Sequence, residues 1–189
     1  MAPLMMRVAP YATLRKLLPL PGQDLDWALC CEAIEALRAL DTTPQDPVHH
    51  AEGDVGTHTR WVIACLREDA TFQQALPDRQ WVMFMAALLH DIAKPATTVV
   101  DEATGRIRQP GHSQRGAVDA RVLLWLSGCP WELREAICRL IAVHQQPFFV
   151  WHSHRGTPPE YVVRKLSWEL CWAELLAVAR ADMRGRVCQ

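Results

Sequence analysis

Residues 78–95 read DRQWVMFMAALLHDIAKP. Trp81, Met85, Leu88 and Ile92 recur at i, i+4, i+7 and i+11, the spacing of one face of an α-helix. Asp78 stands where an N-cap belongs, and Pro95 marks a stop because proline disfavours helix in the residue before it. The stretch predicts a core helix over 78–93. His90 and Asp91 stand at the end of that apolar run. Buried charge is expensive unless it is paired or bound to a metal, so this dipeptide needs partners.

Working outward, helical periodicity continues. Residues 24–40 place Trp27, Cys30, Cys31, Ile34 and Leu37 on one stripe, and 57–69 do the same with His58, Val62, Cys65 and Leu66. A helix over 113–127 ends before Gly128, and Pro130 suits the first turn of a helix over 130–145. A last helix, 158–183, opens on Thr157-Pro-Pro-Glu160, the pattern of a capping box. The β signal is confined to TTVVDEATGRIRQ at 97–109, two short runs around a Gly105 turn that predict a small hairpin. Residues 41–56 and 147–157 read as loops. The expected fold is all-α, a helical bundle with one hairpin near 97–109. The expected organisation is an N-terminal helical segment over 1–44 packed on a single globular unit over 45–189.

The chain has 189 residues, long enough to bury a core without a disulfide or zinc staple. Its 20 basic residues balance 21 acidic ones, which excludes a highly basic nucleic-acid coat and an acidic disordered tail. Seven cysteines contain no C-x-x-C pair and mostly fall in helical stretches, which suits a reduced interior. No apolar run approaches the ~18 residues of a membrane helix, and prolines and arginines break the N-terminus as a signal peptide. The expectation is a cytoplasmic protein with no membrane partner. Eight tryptophans lie mostly within helical patterns, where core packing is the first expectation.

Several polar residues do not fit a bland core. His58 lies on the inward stripe of its helix. His144 lies on the stripe Leu133, Ile137, Leu140, His144. Asp182 follows Val178 by four residues in a helix of Ala, Leu and Trp. Several imidazoles and two carboxylates aimed at one interior suit Mn, Fe, Ni, Zn or Mg by ligand type.

The order His58, His90-Asp91, Asp182 resembles the H…HD…D signature of the HD-domain metal-dependent phosphohydrolases. Four strings carry the likeness over roughly 45–186: HHAEGDVGTHT (49–59), LLHDIAKP (88–95), GHSQRGA (111–117) and ADMRGR (181–186). It is nearest to the HD domain of bacterial CCA-adding enzymes. The chain has no Gly-Ser doublet followed by Asp-x-Asp and no P-loop, so the resemblance does not extend to nucleotide addition. It implies that His58, His90, Asp91 and Asp182 hold a divalent metal (Mn, Ni, Co, Fe or Mg), with Asp91 bridging if a second ion binds. His112 and His144 match positions that hold a second metal or meet phosphate. Lys94, three residues after Asp91, and Arg184 and Arg186 stand where phosphate contacts belong; the alternative readings are a helix C-terminal cation for Lys94 and a solvated helix end for the two arginines. His50 and Glu52 match the HxEG entry to the first ligand helix, with His50 also a candidate substrate contact.

Such a cation acidifies bound water and withdraws charge from a phosphoryl group, while His112 or His144 protonates the leaving oxygen. The expected activity is phosphomonoester or phosphodiester hydrolysis on a nucleotide or RNA end, such as a 2′,3′-cyclic phosphate or 2′-phosphate. A small-molecule nucleotidase or deoxynucleotide phosphohydrolase is the alternative within enzymes. A non-catalytic RNA-binding or regulatory module is the alternative outside them. Phe148, Phe149 and Trp151 either stack a base or cover a helix seam, and His152 and His154 read as surface residues. No feature of the sequence sets the oligomeric state.

Overall fold

A computed structural model describes residues 7–150 and 158–188. The N-terminal part carries α1 (Tyr11–Leu14), a 3₁₀ turn, α2 (Trp27–Ala33) and a 3₁₀ helix over Glu35–Thr42. The main body is α3 (Val55–Arg67), α4 (Ala70–Gln74), α5 (Pro77–Leu89), α6 (Lys94–Thr97), α7 (His112–Leu126), α8 (Trp131–Val143), α9 (Gln146–Phe149), α10 (Pro159–Glu169) and α11 (Trp172–Arg184). Two-residue strands β1 (Val99–Val100) and β2 (Ile107–Arg108) form an antiparallel hairpin, with Val99 opposite Arg108 and Gly105 at φ +68° in the turn. The all-α expectation and the hairpin both hold.

α5 is the axis of the bundle. Every residue from Trp81 to Leu89 is fully buried, because α3, α8 and α11 pack against it. Its apolar surface therefore runs all round and is not a single stripe. Pro77 occupies the first turn after an N-cap at Leu76, so Asp78 is not the cap; it sits in the first turn and ion-pairs with Arg15 at 2.8 Å. The helix ends at Leu89, earlier than Pro95 suggests. His90–Ala93 form a turn, and Pro95 lies in the first turn of α6, where its missing N–H costs nothing.

Two other expected helices break for tertiary reasons. The 24–40 segment bends at Ile34, whose backbone turns extended and bridges to Val8 while the Ala33 carbonyl accepts from Ala9. The 158–183 segment breaks at Leu170, where Arg139 donates to the Glu169 carbonyl that the helix leaves open. The 147–157 loop begins with the single turn of α9. Thr157, Trp151, His152 and His154 lie outside the described residues.

Side-chain caps open α3 and α4. Asp54 accepts from the Thr57 N–H at 2.7 Å and opens α3, and Asp69 does the same for α4 through Thr71. All seven cysteines are unpaired. Core packing accounts for only some of the described tryptophans, with Trp27 and Trp172 partly buried against the core. Trp81 is fully buried, but Trp61, Trp125, Trp131 and Trp168 are exposed. No helix among the described residues is long and apolar enough to cross a membrane.

α3 and α11 cross closely because Gly185 abuts Val62. A Cβ at Gly185 would lie 2.8 Å from Val62 Cγ2 and 2.9 Å from the Val62 backbone nitrogen. Its φ of −76° is ordinary, so space and not conformation demands glycine. Gly185→Ala should cost about 1–3 kcal/mol through overpacking. A thermal melt should show Tm lowered by roughly 3–10 °C; an unchanged Tm would mean that the two helices separate freely.

Candidate metal centre

Helix ends build this site. His90 and His144 are the C-cap residues of α5 and α8, and His112 is the first residue of α7. At each, the ring turns back so that Nδ1 donates to a carbonyl three residues earlier: His90 to Ala87 (2.7 Å), His112 to Gln109 (2.7 Å) and His144 to Ile141 (2.8 Å). A carbonyl only accepts, so Nδ1 carries the proton and Nε2 of each neutral ring presents a lone pair. His58, in the first turn of α3, donates through Nδ1 to the Gly185 carbonyl (3.2 Å), with Glu52 Oε1 at 3.0 Å.

These Nε2 atoms meet carboxylate oxygens. His90 Nε2 is 3.0 Å from Asp91 Oδ2, and His112 Nε2 is 3.4 Å from Asp91 Oδ1. His58 Nε2 is 3.1 Å from Asp182 Oδ1 and 3.9 Å from Asp91 Oδ2. The imidazoles adjoin in a chain, with centroids 5.5 Å apart for His58 and His90, 5.1 Å for His90 and His144, and 5.5 Å for His144 and His112. Ligand atoms of His58, His90 and Asp182 lie within 4.8 Å of one another, as do those of His90, Asp91 and His144. His90, Asp91, His144 and Asp182 are each at most 2% exposed.

A bound cation suits this donor set on a direct observation. Among the described residues, four buried side-chain polar atoms lack a hydrogen-bond partner, and three of them are His90 Nε2 and both oxygens of Asp91. Native interiors rarely leave such atoms unpaired. Here they converge as lone pairs, which repel unless positive charge stands among them.

The other expected residues divide. Lys94 is buried, donates to Gln45 Oε1 at 2.6 Å and lies 2.8 Å from Asp91 Oδ2, out of hydrogen-bonding alignment. Arg186 forks onto Asp182, with Nε 3.0 Å from Oδ1 and an Nη 2.6 Å from Oδ2, and rests over the Phe148 ring at 5.3 Å. Arg184 is not brought to this tract: two residues beyond Asp182 it faces the other way and pairs with Glu68 at 2.7 Å. His50 reaches the tract indirectly, through Glu52 at 2.7 Å and edge-on against the His58 ring. Glu52 proves central. It faces His50, His58 and the Val187 N–H at once, and the ligand atoms of His50, Glu52 and His58 lie within 4.8 Å of one another. Gln45 and the Gly185 carbonyl escaped the sequence reading. Neither residue type announces such a role, and both come into place only when distant segments pack.

The electrostatics follow. Burial opposes charge on His58, yet its hydrogen bonds to Asp182 and Glu52 and the nearby Asp91 charge hold the ring up at about 9. Burial and the Lys94 charge push His50 down to about 4, and burial with His90 pushes His144 down to about 4. Burial also lowers His112, partly offset by Asp91. Burial would raise Glu52, but bonds from His58, the Val187 N–H and His50 bring it to about 2. Asp91 lies well below the usual carboxylate range, since its neighbours His90 and Lys94 outweigh its burial; Asp182 does too, held by His58 and Arg186.

No protein-family model matches the chain, and no solved structure does. Over 118 residues, 62% of its length, it is 40% identical to the Multifunctional CCA protein of Halorhodospira halophila, covering 24% of that protein. Over 60 residues, 32% of its length, it is 40% identical to the CC-adding tRNA nucleotidyltransferase of Thermus thermophilus, covering 14% of that one. The matched stretches thus span at most about a quarter of these relatives. They link part of the chain to CCA-adding enzymes.

The pKa directions predict a bell-shaped stability profile for chelator-treated protein. His58, raised from 6.5 to about 9, contributes stability fully present below pH 6.5 and lost as pH climbs through 9. His50 and His144, lowered to about 4, contribute stability present above pH 6.5 and lost as pH falls through 4. Tm should peak near pH 6.5. Added divalent metal should raise Tm most on the alkaline side, where it no longer competes with the His58 proton. Thermal melts between pH 4 and 9 check this, and an apo Tm that rises steadily above pH 7 refutes it.

Proposed function

We propose that this chain is an HD-type metal-dependent phosphohydrolase that cleaves a phosphomonoester or phosphodiester at a nucleotide or RNA end. The observation that carries the reading is the convergence of unpartnered lone pairs from His90 and Asp91 beside His58 and Asp182. His58, His90, Asp91 and Asp182 would hold the cation. When bound, it would supply Lewis-acid activation of water and of the phosphoryl group. The relatives' names, a CCA protein and a tRNA nucleotidyltransferase, support an RNA terminus as the substrate class, with a 2′,3′-cyclic phosphate or 2′-phosphate as the first candidates.

The chain's own charges favour a phosphate once metal is present. Asp91, Asp182 and Glu52 contribute three negative charges. Lys94, Arg186 and protonated His58 balance them. A divalent cation that displaces the His58 proton leaves the tract one unit positive, which favours an anion. α7 begins at His112, so the positive end of its dipole adds to that preference. Lys94 and Arg186 stand beside Asp91 and Asp182 as the groups to engage phosphoryl oxygens. His112, with Nε2 toward Asp91 and a small exposed edge, would be the group to protonate the leaving oxygen once Nε2 itself has taken up a proton. The two Asp91 oxygens face different imidazoles, which suits a bridging role if a second ion binds near His112 and His144.

Hydrolysis of bis(p-nitrophenyl) phosphate with Mn, Ni, Co, Fe or Mg, followed by a panel of 2′-, 3′-, 5′- and cyclic nucleotides, tests the proposal. Asp91→Ala should abolish turnover and lower bound metal per chain. Lys94→Ala should retain metal and lose about 10²-fold in kcat/KM, the scale of one charge-assisted contact. Wild-type inactivity with all five metals, or undiminished turnover in Asp91→Ala, would overturn it in favour of a non-catalytic module.

A further inference from the structure

The outward face of α10 has no place in that chemistry, yet its composition is specific. Tyr161, Arg164, Lys165 and Trp168 recur at i, i+3, i+4 and i+7, one stripe of the helix. Leu166 is buried, and Val162 and Leu170 pack on the core from the opposite side, so the stripe faces solvent. Trp168 is 84% exposed and Tyr161 58%. An exposed tryptophan beside an exposed tyrosine marks a contact surface more than a fold requirement.

The cations decide what it would contact. Four other surface arginines are matched: Arg115 with Asp119, Arg121 with Glu135, Arg180 with Asp69 and Arg184 with Glu68. No ion pair among the described residues engages Arg164 or Lys165. Glu160 and Glu169 are exposed at the helix ends, each four residues from one of the cations (Arg164 and Lys165), yet neither is ion-paired with it. An exposed stripe on α7 (Val118, Val122, Trp125 and Leu126) lacks such cations, since Arg115 and Arg121 are already paired.

We propose that the outward face of α10 binds single-stranded RNA, with Tyr161 and Trp168 as stacking platforms for bases and Arg164 and Lys165 as phosphate contacts. Every base offers a π-face, and cations between the platforms track the backbone, the two ingredients of sequence-tolerant single-strand binding. Seven residues of helix separate the aromatics by about 10 Å along the axis, room for a short run of nucleotides between the stacked bases. The choice of RNA over DNA rests on the proposed function; the stripe itself supplies only the single-stranded polyanion.

Fluorescence anisotropy with a fluorescein-labelled single-stranded RNA of about 12 nucleotides tests it. Trp168→Ala should weaken Kd roughly 5- to 100-fold, the scale of one lost base stack, while Trp168→Phe should keep most of the affinity. The double variant Arg164→Ala/Lys165→Ala should reduce the slope of log Kd against log salt by about 1–2. Trp125→Ala, on the exposed stripe of α7, should bind as the wild type does. Wild-type affinity in the α10 variants, equal weakening by Trp125→Ala, or no binding at all would overturn the proposal. So would sedimentation showing that Trp168→Ala dissolves a dimer, which would make the face an interface between copies. Turnover of bis(p-nitrophenyl) phosphate by the same variants keeps the two readings apart. Turnover with unaltered RNA binding sinks only this proposal, and RNA binding lost in the variants of a protein that never hydrolyses sinks only the catalytic one.

Discussion

Asp91 sits at the meeting point of this bundle with both oxygens buried and no hydrogen-bond donor aligned to either. A charge so placed is tolerable only because positive groups surround it, and the surrounding architecture follows from that need. Lys94 folds back over one turn of chain to lie beside it. Gln45 comes from the loop before α3 to hold the Lys94 ammonium in place. Arg186 neutralises the second carboxylate, Asp182, while Phe148 supports the guanidinium from behind. Remove one of these and an uncompensated charge remains in the interior, a far larger penalty than the loss of a surface ion pair.

The helices also contribute through their ends. α5 and α8 both stop where their carbonyl ends meet the histidine tract, and the last turn of α11 brings Asp182 there. The C-terminal end of a helix carries partial negative charge, which favours a cation. The same helix endings let His90 and His144 use Nδ1 on a carbonyl of their own helix. Each ring is oriented locally, without help from a distant side chain. Orientation of the ring nitrogens is thus inherited from helix termination itself.

That inheritance explains what the sequence discloses. A histidine on an apolar stripe is visible as an anomaly, so His58, His90 and His144 stood out with Asp91 and Asp182, and the structure places them together. The helices of the body were legible from periodicity, and the hairpin from its β-branched runs. The breaks at Ile34 and Leu170 were not, because each depends on a contact with a remote segment, Val8 in one case and Arg139 in the other. The exposed tryptophans misled for a related reason: hydrophobicity tells that a residue seeks cover, not whether this chain supplies it. Glu52 was legible only through the HxEG match at the entry to the first ligand helix. Its contacts to His50, His58 and Val187 arise from a pairing between the 49–52 loop and the segment after α11.

His58 and Asp182 are 124 residues apart in the chain. Ribosomes add roughly 5–20 residues per second, so His58 waits about 6–25 s for its carboxylate partner during synthesis. Through that interval the growing chain holds imidazoles and Asp91 without Asp182 or Arg186, and without the Gly185 carbonyl that orients His58. The order in which these residues emerge therefore leaves the charge pattern half-built through that interval, with Asp91 and Lys94, three residues apart, compensating each other until Asp182 and Arg186 arrive.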